Sequence, residues 1–160
     1  MSAVRAIAGA FRMTDETWRR HANPWSVYTR FAAIPPLLLA IWSRTWIGWW
    51  ALAAVAVVAV WLWLNPRVFR PVDRPTAWAS RGIFGERIWA TERARLSRAQ
   101  RDAFRWIGIP GAVGAALLLW GMVVLDVWPT VFGASLVVLA QLWRIDRLAA
   151  CYDALTPTRA

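Results

Sequence analysis

Three short polar segments contain the side chains of this sequence that suit acid–base or anion-binding chemistry. They span residues 21–30, 63–69 and 78–89, and each adjoins a long apolar stretch. Because the first two segments open and close one predicted helical hairpin, we expect them to be neighbours in space. Their polar members are His21, Asn23, Ser26 and Arg30, then Asn65 and Arg67, then Ser80, Glu86 and Arg87.

The candidates for catalysis are Glu86 and His21, which is the only histidine. Histidine titrates near neutral pH, so a histidine–carboxylate pair is a candidate for general acid–base work. The alternative is a histidine at the membrane surface that hydrogen-bonds a loop carbonyl, which is the commoner role for a lone histidine. A carboxylate that is removed from water beside an apolar helix also needs a cationic partner. We therefore predict that Arg67 or Arg87 pairs with Glu86, with His21 nearby.

Three arginines are candidates for holding the phosphate of an anionic lipid: Arg30, Arg67 and Arg87. A guanidinium group binds a phosphate through two parallel hydrogen bonds. The same arginines are equally well explained by extension of their side chains towards the membrane surface and by charge pairing with Glu86. Both hypotheses remain open at this stage.

The other polar motifs have ordinary structural explanations. Asn23-Pro24 is typical of a helix start, and Asn65-Pro66 is predicted to end a helix. Gly82 and Gly85 resemble a phosphate-binding loop only weakly, because the strand that should precede such a loop is missing, so a plain turn is favoured.

No metal or cofactor site is predicted. The chain has one histidine and one cysteine, Cys151, which are too few for the usual zinc, copper or haem ligand sets. A single cysteine also excludes a disulfide within the chain.

The elements that must position these residues are mostly apolar. Residues 31–64 and 106–143 are almost uncharged, and residues 65–105 between them contain ten arginines and four acidic residues. The chain is 59% hydrophobic with a net charge of +10, against roughly 45–50% apolar residues in a soluble domain. We infer an integral membrane protein whose arginines lie beside the bilayer and contact anionic lipid rather than nucleic acid.

The predicted fold class is all-α, with four transmembrane helices in two hairpins. An amphipathic N-terminal arm (1–22) precedes the first hairpin (23–64). A basic interfacial segment (65–105) then leads to the second hairpin (106–148) and a tail (149–160). Since the two hairpin turns contain few arginines, the positive-inside rule places both termini and the basic segment in the cytoplasm, at the inner (plasma) membrane.

Local signals predict where individual helices begin and end. Thr14 and Asn23 should cap helices, Pro35-Pro36 should kink the first span, and Ser97 with Gln100 forms a capping-box pattern. The second span is predicted over 46–64, a surface helix over 84–96, and the last two spans over 106–125 and 130–143. Small residues on the third span, among them Gly111 and Gly114, predict close packing against a neighbouring helix.

The three polar segments also carry motifs that resemble a known family. HANPWS followed by TR, WLNPR-x-F, and WAS-x-G-x-x-GER-x-W are similar to those of small prokaryotic multi-pass membrane proteins. That family is classed only as a domain of unknown function, and the resemblance covers roughly residues 18–90. It implies residence in a membrane and no particular activity.

The function favoured by the sequence is that of a non-catalytic, membrane-embedded binding or accessory protein. The alternative is a small membrane enzyme acting on a phosphorylated lipid, and the sequence leaves open whether the chain is an enzyme. The expected partners are the lipid bilayer with its anionic headgroups, and a second copy of the chain or a membrane partner protein. An enzyme requires His21, Arg30, Arg67 and Glu86 to meet at one cavity, whereas a binding protein allows them to form satisfied pairs.

Overall fold

The computed structural model describes residues 14–156, which form helices and no strand. Residues 1–13 of the predicted amphipathic N-terminal arm (1–22) lie outside the described residues. The α-helices are α1 (Asp15–His21), α2 (Pro24–Ala32), α3 (Ile34–Trp42), α4 (Arg44–Ile47), α5 (Ala51–Val68), α6 (Trp78–Thr91), α7 (Arg98–Val124) and α8 (Val127–Leu155).

Three helical stretches are long and apolar enough to cross a membrane. They are Pro24–Val68 with 45 residues, Arg98–Val124 with 27 and Val127–Leu155 with 29. A crossing needs about 20 apolar residues, so the first stretch is more than twice the required length.

The predicted caps at the start of the chain are confirmed. The Thr14 side chain accepts a hydrogen bond from the backbone N–H of Thr17 and starts α1. The Asn23 side chain accepts from the N–H of Trp25, and Pro24 occupies the first position of α2. Both caps satisfy backbone donors that the first turn of a helix leaves free.

The first apolar stretch contains the predicted break. Helix α2 ends at Ala32, and Pro35 and Pro36 lie in the first turn of α3, where a missing backbone N–H costs nothing. A second break separates α4 from α5 and contains Gly48, whose φ of 55° suits a residue without a Cβ. The span predicted to begin at Trp46 therefore starts later, at Ala51.

The chain reverses direction within this stretch. Ser26 Oγ donates to Asn65 Oδ1 over 2.7 Å, although the two residues are 39 positions apart. One straight helix would separate them by about 58 Å. Helices α2 and α3 therefore run back along α5.

Asn65-Pro66 does not end α5, contrary to the prediction. The helix continues through Pro66 to Val68. The carbonyl groups at this end find other donors: the Arg67 side chain donates to the carbonyl of Trp63, and Arg20 donates to those of Arg67 and Phe69. These side chains satisfy carbonyl groups at the C-terminal end of α5, where Pro66 lies in the last turn.

Helix α6 also departs from the prediction, because it begins at Trp78 and ends at Thr91 rather than covering 84–96. Gly82 and Gly85 suggested a turn, but both are buried inside the helix. A Cβ on Gly85 would lie 2.0 Å from the carbonyl oxygen of Leu148, and one on Gly82 would lie 2.5 Å from Ile145. The two glycines let α6 pack directly on the backbone of α8.

Helices α7 and α8 form a closely packed antiparallel pair. Ser97 and Gln100 make the predicted capping box at the start of α7. The chain turns at Leu125 and Asp126, and α8 continues well beyond the predicted end at Trp143. Gly114 and Gly133 lie at the contact, so this part of the small-residue surface makes the predicted close packing against a neighbouring helix, here within the monomer. Gly108, by contrast, has open space where its Cβ would be.

The two ends of the molecule differ in character. At the turn end, Arg44 between α3 and α5 donates to the carbonyls of Met122 and Val123, so the two helical turns lie side by side. At the polar end, α1 and α6 cover the ends of the longer helices. A small buried cluster there contains Ala22, Val27, Ala79, Ile83 and Ile145.

Candidate functional site

A buried hydrogen-bond group joins the first two polar segments. Ser26 and Asn65 are fully buried. Ser26 donates to Asn65 Oδ1, and Asn65 Nδ2 donates to Thr29 Oγ1 over 2.7 Å. Because every polar atom of the asparagine amide is matched by a hydroxyl, this group holds α2 on α5 and leaves Asn65 with no evident chemical task.

His21 is bonded to Arg30, its neighbour one helix further on. Arg30 Nη1 lies 2.7 Å from Nε2 of His21, and Arg30 Nε donates to the carbonyl of Ser26. An arginine always donates, so Nε2 must accept and the proton of the neutral ring lies on Nδ1. Trp18 meets the ring edge-on.

This environment keeps His21 neutral. Burial, and secondarily the positive charge of Arg30, lower the pKa of His21 from 6.5 to about 3. A base with so low a pKa is weak at neutral pH, and its accepting nitrogen is already occupied. The arrangement favours a positioning role for His21 over acid–base chemistry.

Glu86 pairs with Arg144, a residue that the sequence reasoning did not single out. Arg144 Nη2 lies 3.0 Å from Glu86 Oε1, and both side chains are largely buried. The predicted partner Arg87 instead pairs with Asp15 over 2.7 Å. That prediction was wrong because Arg87 is the next residue along α6 and points to α1, whereas Glu86 follows Gly85 onto the face packed against α8.

A cavity of about 220 Å³ lies between α2, α3, α6 and α8 at this end. We call it the inner cavity. Arg30, Glu86 and Gln141 supply its polar groups, and its walls include Phe31 and Ile145. Glu86 is near enough for its charge to act on Arg30. The cavity therefore offers a cation, a carboxylate and an amide within an apolar wall.

The structure does not bring all the predicted site residues to this cavity. Arg67 lies at the end of α5 with its guanidinium 4.3 Å from the centre of the Trp63 ring. Asn23 caps α2 and donates to the carbonyl of Arg70, and Ser80 is buried within α6. Of the three proposed phosphate contacts, Arg30 alone lines the inner cavity.

Sequence reasoning missed Gln141 and Arg144 because it placed them at the end of a span, where polar residues are common. A usable signal was present: Gln141 and Arg144 are three positions apart on one helix, with Ile145 and Leu148 continuing the same face. Trp78 gives a further link between these helices, since its Nε1 donates to Asp146 over 3.2 Å.

Metal binding has no support among residues 14–156, where no three histidine, cysteine, aspartate or glutamate side chains come together. The polar groups of the inner cavity instead suit an organic ligand with an anionic or hydrogen-bonding head.

The fold and site thus define an all-helical protein with three helical stretches able to cross a membrane and a charged cavity at one end. The chain belongs to a family of unknown function (DUF6653), whose model matches residues 3–160. Membership of a domain-of-unknown-function family, predicted from the motifs, is confirmed. No curated protein and no solved structure matches the chain.

Proposed function

We propose that this protein is a four-span membrane protein that binds a lipid at the inner cavity without catalysing a reaction. Two hairpins would cross the bilayer, α2–α3 with α5 and α7 with α8. The hydrogen bond between Ser26 and Asn65 supports two crossings by the first stretch, because it brings the two ends of that stretch together.

The positions of the exposed tryptophans on α7 and α8 support the proposal that these helices cross the bilayer. On α7, Trp106 and Trp120 are 69% and 62% exposed, and on α8 Trp128 and Trp143 are 81% and 51% exposed. Each pair is about 20 Å apart along its helix. Tryptophan is enriched at both surfaces of a membrane, so two such bands are expected where helices cross it.

The arginine distribution supports a cytoplasmic polar end. Residues 65–105 contain ten arginines, whereas Arg44 is the only one in the two turns at the opposite end. Positive residues are retained on the cytoplasmic side during insertion. The polar end, with the inner cavity, would therefore face the cytoplasm.

Cysteine labelling tests this topology. In a Cys151→Ala background, single cysteines at Thr45, Ser97 and Trp128 would be treated with a membrane-impermeant maleimide. We expect Thr45 and Trp128 to react from outside and Ser97 from the cytoplasm. An unreactive Thr45 position would contradict the proposal, because a single crossing by Pro24–Val68 would place it inside the bilayer.

The inner cavity is the observation that supports binding. Its volume of about 220 Å³ is below the usual range for a whole small-molecule site, so it suits one part of a larger ligand. In a membrane, the rest of such a ligand can remain in the bilayer. Lipid is therefore the ligand class that fits both the size and the surroundings of the cavity.

Binding is favoured over the enzymatic alternative by the state of the candidate catalytic residues. His21 is neutral and bonded to Arg30, and Glu86 is paired with Arg144. Both side chains are thus held by structural contacts, although Nδ1 of His21 is buried without a hydrogen-bond partner among the described residues.

Native mass spectrometry of the purified protein tests the binding function. We expect the wild-type protein to retain lipid and the cavity-filling variant Ile34→Trp to lose it. Ile47→Trp is the matched control, since Ile47 is exposed at the turn end, away from the cavity. Absence of retained lipid, or equal retention by Ile34→Trp, would contradict the proposal.

A further inference from the structure

A second recess, with a mostly apolar lining, lies between α3 and α8. We call it the outer groove. It has a volume of about 360 Å³, and its lining includes Leu38 and Trp42 of α3 and Val127, Thr130 and Val131 of α8. It lies towards the turn end, whereas the inner cavity lies at the polar end.

The two recesses lie along the same helix faces. On α8, Thr130 and Gln141 are 11 residues apart, about three turns, and line the outer groove and inner cavity respectively. On the other wall, Phe31 and Leu38 are seven residues apart, about two turns, across the break between α2 and α3. One line between α8 and the α2–α3 pair therefore passes through both recesses.

The separation of the recesses matches one lipid chain. Thr130 and Gln141 are about 17 Å apart along α8. One leaflet of the hydrocarbon core is about 15 Å thick. An acyl chain whose head lies in the inner cavity would thus reach the outer groove.

The net charge of the side chains at the inner cavity favours a negatively charged lipid headgroup. Arg30 and Arg144 outnumber Glu86, and His21 is neutral, so the group has one excess positive charge. Among the described residues, the hydrogen bonds of Arg30 go to neutral acceptors, on Ser26 and His21. A head with one negative charge would balance the group.

We propose that the inner cavity and outer groove are the two ends of one site for an anionic phospholipid of the bilayer. Its singly charged phosphodiester would contact Arg30 and Gln141, and one acyl chain would lie between α3 and α8 as far as Val131. The other chain would remain in the surrounding bilayer. This inference rests on the proposed lipid-binding function and adds the class of lipid and the course of its chain.

The test is lipid competition with the full-length protein. Purified protein would be exposed to equal amounts of phosphatidylglycerol and phosphatidylcholine with identical acyl chains, and the retained lipid would be counted by native mass spectrometry. We expect one phosphatidylglycerol per chain, with at least a tenfold preference over phosphatidylcholine. Separate arms with oleate and with inorganic phosphate should show no displacement of the bound phospholipid.

Variants at each end separate the two parts of the site. Gln141→Glu cancels the excess charge and should abolish the preference for the anionic lipid. Val131→Trp and Leu39→Trp fill the outer groove at exposed positions and should reduce retention at least tenfold. Phe132→Trp is the matched control, because Phe132 is the exposed neighbour of Val131 and does not line the groove.

The outcomes distinguish this inference from the proposed function. Lipid retention that is lost in Ile34→Trp but shows no charge preference would overturn the headgroup assignment alone. Full retention by both groove variants would overturn the assigned course of the chain, and displacement by oleate or phosphate would overturn the phospholipid. Absence of lipid from the wild-type protein would contradict the proposed function as well.

Discussion

At the scale of single residues, the contact with Arg30 determines how His21 responds to protonation. Arg30 donates to Nε2 of His21, and a protonated ring would face that guanidinium with a proton on the same nitrogen. Protonation must therefore break the contact. This makes His21 a source of acid sensitivity rather than a proton carrier.

The stability of the protein should accordingly depend on pH through His21. The unfolded chain takes up this proton below about pH 6.5, whereas the folded chain does so only near its pKa of about 3. Between these values the unfolded state binds more protons, so stability falls as the pH falls, by at most about 1.4 kcal/mol per pH unit. Thermal unfolding in detergent from pH 7 to pH 4 would measure it.

The control for this prediction is His21→Gln, whose amide can still accept from Arg30 and does not titrate. The stability difference between the wild type and this variant should shrink or reverse as the pH falls. A constant difference across the range would show that His21 does not titrate as described.

Asn65 is a second residue whose role depends on its contacts. Asn65→Ala removes one buried and one partly buried hydrogen bond and leaves the hydroxyl of Ser26 unmatched, which should cost about 1–3 kcal/mol. Thermal unfolding in detergent measures the loss. Ser135→Ala is the control, since that exposed hydroxyl bonds only a carbonyl of its own helix, and a similar loss in both variants would contradict the prediction.

At the scale of elements, the spacing of the two α6 glycines sets the helix packing. Gly82 and Gly85 are three residues apart and face α8, which allows backbone contact and carries Glu86 to Arg144. From sequence alone, glycines three residues apart predict a turn and a helix contact equally well. The tertiary surroundings decide between the turn and the helix contact. Close approach of an adjacent helix stabilises the helical form, and local residue preferences do not include that contact.

Substitution by alanine should therefore change the stability of the protein differently at Gly85 and at Gly108. Gly85→Ala forces a Cβ into the carbonyl of Leu148 and should destabilise the protein by about 1–3 kcal/mol or more. Gly108→Ala meets open space within α7 and should be neutral or stabilising by up to about 1 kcal/mol. Thermal unfolding of the two variants side by side decides, and equal effects would contradict the packing described here.

At the scale of the whole molecule, Glu86 connects α6 with α8 and lies near α2. It bonds Arg144 of α8 and acts electrostatically on Arg30 of α2, so one carboxylate lies between two cations from opposite ends of the chain. Breaking such a pair leaves a poorly solvated charge behind. Removing either Glu86 or Arg144 should therefore weaken the packing of α6 on α8.

A double-mutant cycle tests this connection. Glu86→Gln and Arg144→Gln should each lower the unfolding free energy by about 1–3 kcal/mol, and the double variant by less than the sum. Glu92→Gln is the control, because its exposed pair with Arg95 should contribute less than about 1 kcal/mol. Additive losses at Glu86 and Arg144 would show that the two side chains are not coupled.

Much of the architecture follows from the sequence by itself. Thr14, Asn23 and Ser97 cap helices where predicted, because a cap depends on a side chain and the few backbone groups beside it. Apolar stretches likewise appear as helices long enough to cross a membrane, since a helix bonds its backbone groups within one segment. Both features are determined by neighbours along the chain.

The tertiary structure alone decided how the site is assembled. Whether Asn65 ends a helix or anchors one depends on Ser26 and Thr29, which reach it only after the chain reverses. The partner of Glu86 depends on how closely α6 approaches α8, and so on backbone atoms far away in sequence. Contacts of this kind depend on packing between helices, which a linear pattern of residue types leaves undetermined.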